Sequence, residues 1–108
     1  MVEKARLSEL LRAEGISVSE VFGSGQKSVT TAGTRVQLSS VSYLIHSITI
    51  KAKSGNTGSI YVGASDVIST NGFILAAGEG ISLDVDNLND IWLDSSVNGE
   101  GVSYFFVK

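Results

Sequence analysis

The chain has no cysteine and no proline, and its 108 residues include a single histidine. The absence of cysteine excludes disulfides and thiolate metal sites, and one histidine excludes a pair of imidazole ligands. Neither a GxSxG nucleophile motif nor a GxxxxGK[ST] phosphate loop is present. We therefore expect no enzymatic activity and no cofactor, and we interpret His46 as a structural or surface residue.

Positive charge is missing from about half of the sequence, because no Lys or Arg lies between Gly55 and Val107. Sustained contact with phosphates requires Lys and Arg, so we expect no nucleic-acid partner for this half. We interpret its acids as a solvated surface, for which an electrostatic partner would be basic or a cation. The acids are Asp66, Glu79, Asp84, Asp86, Asp90, Asp94 and Glu100.

Long hydrophobic runs are missing as well. No segment approaches the length of a membrane span, and Lys4 and Arg6 are not followed by the apolar core of a signal peptide. We therefore expect a soluble protein that is made in a cytoplasm and has no membrane partner. With 43% hydrophobic and 18% charged residues, the chain has the composition of one folded domain.

What the sequence does contain is short runs of β-branched residues between clusters of Gly, Asn and Asp. Residues 47–53 alternate strictly between apolar and polar, and Ile60 and Val62 share one face of residues 58–63. We predict an all-β domain, a β-sandwich or jelly roll of about seven to eight short antiparallel strands. The candidate strands are residues 27–31, 34–39, 44–53, 59–64, 72–76, 80–85, 91–94 and 102–108.

A helical pattern precedes this domain. Leu7, Leu10 and Leu11 follow the i, i+3, i+4 spacing of one apolar face, which predicts an amphipathic helix over residues 2–14. The following Gly- and Ser-containing residues are predicted to be a tether, so the chain divides into an assembly arm, residues 1–25, and a β domain, residues 26–108. The leucine face packs either on its own β domain or on a neighbouring subunit, and both interpretations stay open.

Two of the candidate strands carry large apolar residues on both faces, one around Trp92 and one around Phe105. One face of each strand enters the core, so the other is covered by a second subunit, covered by the N-terminal helix, or left as an exposed patch. We predict a subunit interface. Its residues are Leu7, Leu10, Leu11, Trp92 and Phe105.

Asp84, Asp86 and Asp90 lie in the segment whose side-chain oxygens best suit a hard cation such as Ca²⁺. Leu88, however, occupies the fifth position counted from Asp84, where an EF-hand loop has an oxygen ligand. Asp and Asn side chains also stabilise turns through backbone hydrogen bonds. We therefore favour a turn and keep a Ca²⁺ site as the weaker alternative.

A series of turn and strand motifs extends over roughly three-quarters of the chain. They are residues 29–34 (VTTAGT), 36–38 (VQL), 56–58 (NTG), 60–63 (IYVG), 71–72 (NG), 77–79 (AGE), 81–86 (ISLDVD), 91–93 (IWL) and 101–104 (GVSY). This series resembles small all-β virion structural proteins of tailed bacteriophages, of the head-decoration or head-fibre type.

The resemblance implies a non-enzymatic subunit of the virion that decorates the capsid or attaches to the head or tail. It also implies a homo-oligomer, a trimer by preference, with other virion proteins such as the major capsid protein as partners. The alternative is a carbohydrate-binding β-sandwich in which Tyr43, Tyr61 and Trp92 stack on sugars. Trp92 distinguishes the two, because an interface would bury it and a sugar platform would expose it beside Tyr61.

Overall fold

The computed structural model describes residues 22–108, which form eight β-strands and one short 3-10 helix, Leu88–Asp90. No helix within these residues is long and apolar enough to cross a membrane. The predicted helix over residues 2–14 lies outside the described residues. The strands are β1 (Phe22–Ser28), β2 (Val36–Gln37), β3 (Ser47–Ala52), β4 (Ile60–Gly63), β5 (Phe73–Leu75), β6 (Gly80–Leu83), β7 (Trp92–Ser95) and β8 (Gly101–Val107).

The strands form two four-stranded antiparallel sheets. Sheet I has the order β1-β8-β3-β6 and sheet II the order β2-β7-β4-β5. The first strand therefore pairs with the last, the second with the seventh, the third with the sixth and the fourth with the fifth. The prediction of an all-β domain with eight short antiparallel strands is confirmed for the described residues.

One hydrophobic core receives side chains from both sheets. Ile48, Ile50 and Val102 enter it from sheet I, and Ile60 and Leu93 enter it from sheet II, each at most 1% exposed. The alternation of the sequence explains this arrangement, because every second residue of β3 and β4 is buried. Burying each of them stabilises the fold by roughly 1.5–3 kcal/mol.

The start of β1 differs from the prediction. The strand begins at Phe22, so the predicted boundary between residues 25 and 26 falls inside it. Gly23 and Gly25 pair with Phe106 and Tyr104, whose rings lie over the two glycines. A Cβ at Gly25 would lie 2.6 Å from the Tyr104 hydroxyl oxygen, so these positions require glycine because the rings occupy the space. The Gly- and Ser-containing sequence predicted a tether, but in the structure these residues form an edge strand that aromatic rings cover.

Candidate functional site

An apolar groove opens between two edge strands of the described domain. β5 ends sheet II, β6 ends sheet I, and residues 76–79 carry the chain from one to the other, so the two edges flank the same side of the core. The groove has a volume of about 560 Å³. We call it the β5–β6 groove, and its apolar lining is Val62, Phe73, Ile81, Leu83, Val85 and Ile91.

The groove exists because the core is incompletely closed at this side. Ile81 and Leu83 alternate toward the core from β6 but are only half-buried, whereas Ile48 and Ile50 on the neighbouring β3 are 1% exposed or less. The facing strand β5 has three residues, and Phe73 at its start is 57% exposed. Apolar groups that would be buried in a closed core therefore face an open groove.

The edge strand β5 is apolar on both faces. Phe73 lies opposite the inward-facing Val62, while the next residue, Ile74, lies opposite Tyr61 on the outer face. Phe73 and Ile74 are both 57% exposed. Contiguous exposed apolar surface at a sheet edge is typical of an interaction site, and it favours association with another polypeptide.

Three aspartates border the groove at one end. Asp84, Asp86 and Asp90 line an adjoining pocket together with His46, and this pocket shares Val85 and Asp90 with the groove. Among residues 22–108, no three His, Cys, Asp or Glu side chains are arranged to hold a metal ion. Because the three aspartates lie beside the groove, they give it a negatively charged rim, which we call the acidic rim.

Asn87 organises the turn that carries the acidic rim. Its side-chain oxygen accepts hydrogen bonds from the backbone N–H groups of Asn89 at 3.2 Å and Tyr43 at 3.1 Å. Its side-chain amide donates to the Ser42 hydroxyl at 2.9 Å. These bonds cap the 3-10 helix and tie it to the preceding chain. An Asx turn was the favoured interpretation of this segment, and Asn87 supplies its side-chain bonds.

A second region of the domain is polar and closed by hydrogen bonds. Glu100 accepts from the backbone N–H groups of Thr57 at 2.6 Å and Gly58 at 2.8 Å, and from the Thr57 hydroxyl at 2.8 Å. The Asn56 side-chain amide donates to the Gly101 carbonyl at 2.9 Å. Donation by the Thr57 and Gly58 backbone lowers the pKa of Glu100, since these bonds favour the carboxylate form. We call this set of bonds the Glu100 clasp.

The predicted interface residues Trp92 and Phe105 lie on opposite sides of the domain. Phe105 alternates with Tyr104 and Phe106, which pack toward the core, so it faces outward from sheet I and is 42% exposed. Trp92 alternates with the buried Ile91 and Leu93 and is half-buried on the outer face of sheet II. The structure does not bring them together. Leu7, Leu10 and Leu11 lie outside the described residues.

Part of the outer face of sheet II is covered by its own chain. Val67, in the connection between β4 and β5, is 1% exposed although it does not belong to the shared core. It packs on Gly63 and Gly72, where an added Cβ would lie 2.9 Å from a Val67 methyl carbon. Gly63 pairs with Trp92, so this covering segment lies beside the tryptophan. Intramolecular cover of this kind was not predicted from the sequence.

The three aromatic residues suggested as a sugar platform do not form one surface. Tyr61 and Trp92 lie on the same outer face of the neighbouring strands β4 and β7, and both are half-buried. Tyr43 instead packs edge-on against Phe106, with 5.3 Å between ring centroids, and the Lys108 ammonium lies 4.4 Å from its ring centroid. Tyr43 is therefore occupied by contacts within the domain.

His46 is exposed, and its backbone N–H donates to the Val107 carbonyl at 2.6 Å. The apolar residues that line the β5–β6 groove were not predicted as a site. Alternation in residues 80–83 predicts that Ile81 and Leu83 face inward, but the incomplete closure above them depends on the partner strand. No protein-family model matches the chain, and no curated protein matches its sequence.

Proposed function

We propose that this protein is a non-enzymatic structural subunit of a virion, which assembles with copies of itself through an apolar β surface and an N-terminal arm. The observation that carries the proposal is the β5–β6 groove, where the core is open to solvent on one side. Phe73 lines this groove but does not close it, because its side chain is 57% exposed. Trimeric assembly, attachment to other virion proteins such as the major capsid protein, and location in the virion belong to the same proposal.

The proposed architecture is a jelly roll. In a jelly roll, an antiparallel ribbon of eight strands is folded over so that two four-stranded sheets face each other across one core. The pairing of β1 with β8, β2 with β7, β3 with β6 and β4 with β5 supports this assignment. Jelly rolls include viral capsid domains and lectin domains, so the architecture is compatible with both functions that the sequence suggests.

The energetics of the groove support assembly. Phe73, Ile81 and Leu83 face the groove with part of their apolar surface exposed to water. Completing the burial of a large apolar side chain is worth up to about 1.5–3 kcal/mol, so a partner that covers the three residues gains several kcal/mol before the entropic cost of association. A subunit that functions alone gains nothing from this surface.

Light scattering on charge variants of the full chain tests the proposal. Phe73→Glu places a carboxylate in the groove, and Ile74→Glu places one on the outer face of the same strand at equal exposure. We expect a defined oligomer for the unchanged chain and for Ile74→Glu, and a monomer for Phe73→Glu. A monodisperse monomer for the unchanged chain contradicts assembly, whereas loss of assembly in Ile74→Glu alone places the interface on the outer face of sheet II.

A carbohydrate-binding module is the second candidate function, and the shared face of Tyr61 and Trp92 favours it. Sugar rings stack on aromatic faces, and a stacked sugar changes the emission of a nearby indole. Trp92 is the only tryptophan in the sequence, so its fluorescence reports on this face without interference. Titration with a panel of soluble oligosaccharides that leaves the emission unchanged argues against this function.

A further inference from the structure

We propose that the β5–β6 groove is the receptor for the leucine face of residues 1–21, donated by a neighbouring copy of the chain. The inference rests on the proposed function and deepens it, because it names the surface that the N-terminal arm would grip. It is argued from the chemistry of the groove, from the sequence outside the described residues and from the length of chain available.

The lining of the groove selects an apolar occupant. Six of its ten lining residues carry large apolar side chains, and the only ionisable one, Asp90, lies in the acidic rim. A polar ligand would lose its hydration there without gaining hydrogen-bond partners. The volume of about 560 Å³ is sufficient for several aliphatic side chains but small for a folded domain.

Residues 1–21 supply an apolar pattern of matching size. Leu7, Leu10 and Leu11 fall on one face at helical spacing. An amphipathic helix binds a groove by inserting side chains at i, i+3 and i+4, and Leu7, Leu10 and Leu11 have this spacing. The sequence therefore contains a ligand of the kind that the groove accepts.

The segment carries charges of both signs. Three basic residues, Lys4, Arg6 and Arg12, flank the leucines, but four acids lie in the same segment, so it has no net positive charge to match the acidic rim. The acids are Glu3, Glu9, Glu14 and Glu20. The apolar contact therefore supplies the affinity in this proposal, and any pairing of the basic residues with the rim adds orientation that salt screens.

The available chain length permits the contact. The described chain begins at Phe22, which pairs with Val107 on β8. The last residue of β6, Leu83, lies at the same end of sheet I. Three strand spacings of about 4.8 Å separate β1 from β6, or roughly 14 Å. Seven extended residues, 15–21, would span up to about 23 Å, so a tether of this length exceeds the distance to β6 and suits a groove at a similar distance in an adjacent copy.

Disulfide trapping tests the contact in the full chain, which has no cysteine of its own. Leu10→Cys is introduced into one sample and Phe73→Cys into another, and the two are mixed under mild oxidation. We expect a mixed disulfide between the two chains, identified by peptide mass. The matched control replaces Phe73→Cys with Ile74→Cys, which has the same exposure on the opposite face and is expected to give at least tenfold less product.

Three other results overturn the inference and differ in what they mean for assembly. If the chain oligomerises by light scattering but forms no preferential disulfide with Phe73→Cys, the proposed function stands and a different contact holds the subunits together. Loss of the oligomer in Phe73→Glu but not in Leu10→Asp shows that another part of a neighbouring copy fills the groove. A disulfide that forms only within one chain carrying both Leu10→Cys and Phe73→Cys, with a monomeric mass, overturns both the neighbouring donor and the proposed function.

Discussion

The Glu100 clasp and the β5–β6 groove are two regions of the same pair of sheets, and they differ in whether the chain covers the core. At the clasp, loop backbone groups are bound by a carboxylate and an amide, and the core residue Val102 beside it is fully buried. At the groove, the core ends without cover and Phe73 remains 57% exposed. One strand beside each region alternates cleanly, β4 at the clasp and β6 at the groove, so alternation alone does not decide which region is closed.

The difference shows which region stabilises the folded domain by itself and which region leaves apolar surface uncovered. The clasp satisfies its polar groups inside the chain, and in the described residues no buried side-chain nitrogen or oxygen lacks a hydrogen-bond partner. The groove leaves apolar groups that the chain between residues 22 and 108 does not cover. A domain of this size buries about 60% of its unfolded surface, so a partner that covered the groove would add stability. We therefore expect changes at the clasp to affect folding and changes at the groove to affect assembly.

The largest expected effect comes from removing the proposed occupant of the groove. Leu10→Asp together with Leu11→Asp deletes two side chains whose burial is worth roughly 1.5–3 kcal/mol each, so we expect association at least 100-fold weaker with an unchanged β domain. Sedimentation or light scattering over a dilution series measures the association, and circular dichroism monitors the fold. Ser8→Asp is the matched control, since it adds a carboxylate off the leucine face. Unchanged assembly in the double variant would sink the arm hypothesis.

A smaller but still large effect is expected at the closed end. A Cβ at Gly101 would lie 2.7 Å from the Ser28 Cα and closer still to the Lys27 carbonyl oxygen, so a side chain forces β1 away from β8. We expect Gly101→Ala to lower the free energy of unfolding by about 3 kcal/mol. Urea denaturation measures it.

Gly55→Ala is the control for Gly101→Ala, because a Cβ at Gly55 would meet no atom within 4 Å. We expect this variant to be neutral or to stabilise the protein by about 0.5 kcal/mol through the unfolded chain. Equal losses in both variants would mean that contact with the β1 backbone does not explain the effect.

The smallest effect concerns the pH dependence of the clasp. The lowered pKa of Glu100 means that the folded state binds its proton more weakly than the unfolded chain, so the clasp contributes stability above the ordinary value of about 4.5. This contribution is lost as the pH falls through the lowered pKa. We expect Glu100→Gln to be less stable than the unchanged chain at pH 7, and the difference to shrink as the solution is acidified.

Urea midpoints of Glu100→Gln and the unchanged chain between pH 3 and pH 7 test this expectation. Asp66→Asn, which removes an exposed carboxylate of the β4–β5 connection, serves as the control. A stability difference that stays constant over the whole pH range would contradict this expectation. It would show that Glu100→Gln destabilises the protein through altered packing or hydrogen-bond geometry and not through the lost charge.

The sequence predicts the strands well where the hydrophobic pattern is local. Alternation in residues 47–53 and at Ile60 and Val62 predicts β3 and β4 because the period of a strand is a property of the strand itself. The start of β1 was wrong for the opposite reason. Gly23 and Gly25 belong to a strand because the rings of Tyr104 and Phe106 cover them, and these partners lie about eighty residues away.

The candidate site was harder to predict than the fold. Trp92 and Phe105 were expected to share an interface, yet they face outward from different sheets, because strand order decides which outer face each residue occupies. The groove depends on the length of β5 and on its position as an edge strand. Neither property is encoded in the local pattern of residues 73–75, which indicates only an apolar strand.

The pairing of the first strand with the last also has a consequence during synthesis. β1 finds its partner only when β8 has been made, and β2 must wait for β7, so the emerging chain contains few strand pairs that it can close early. Long-range pairing of this kind folds slowly and exposes apolar edges in the meantime. On the ribosome, nearly the whole domain must therefore emerge before sheet I is complete, because β8 lies between β1 and β3 in that sheet.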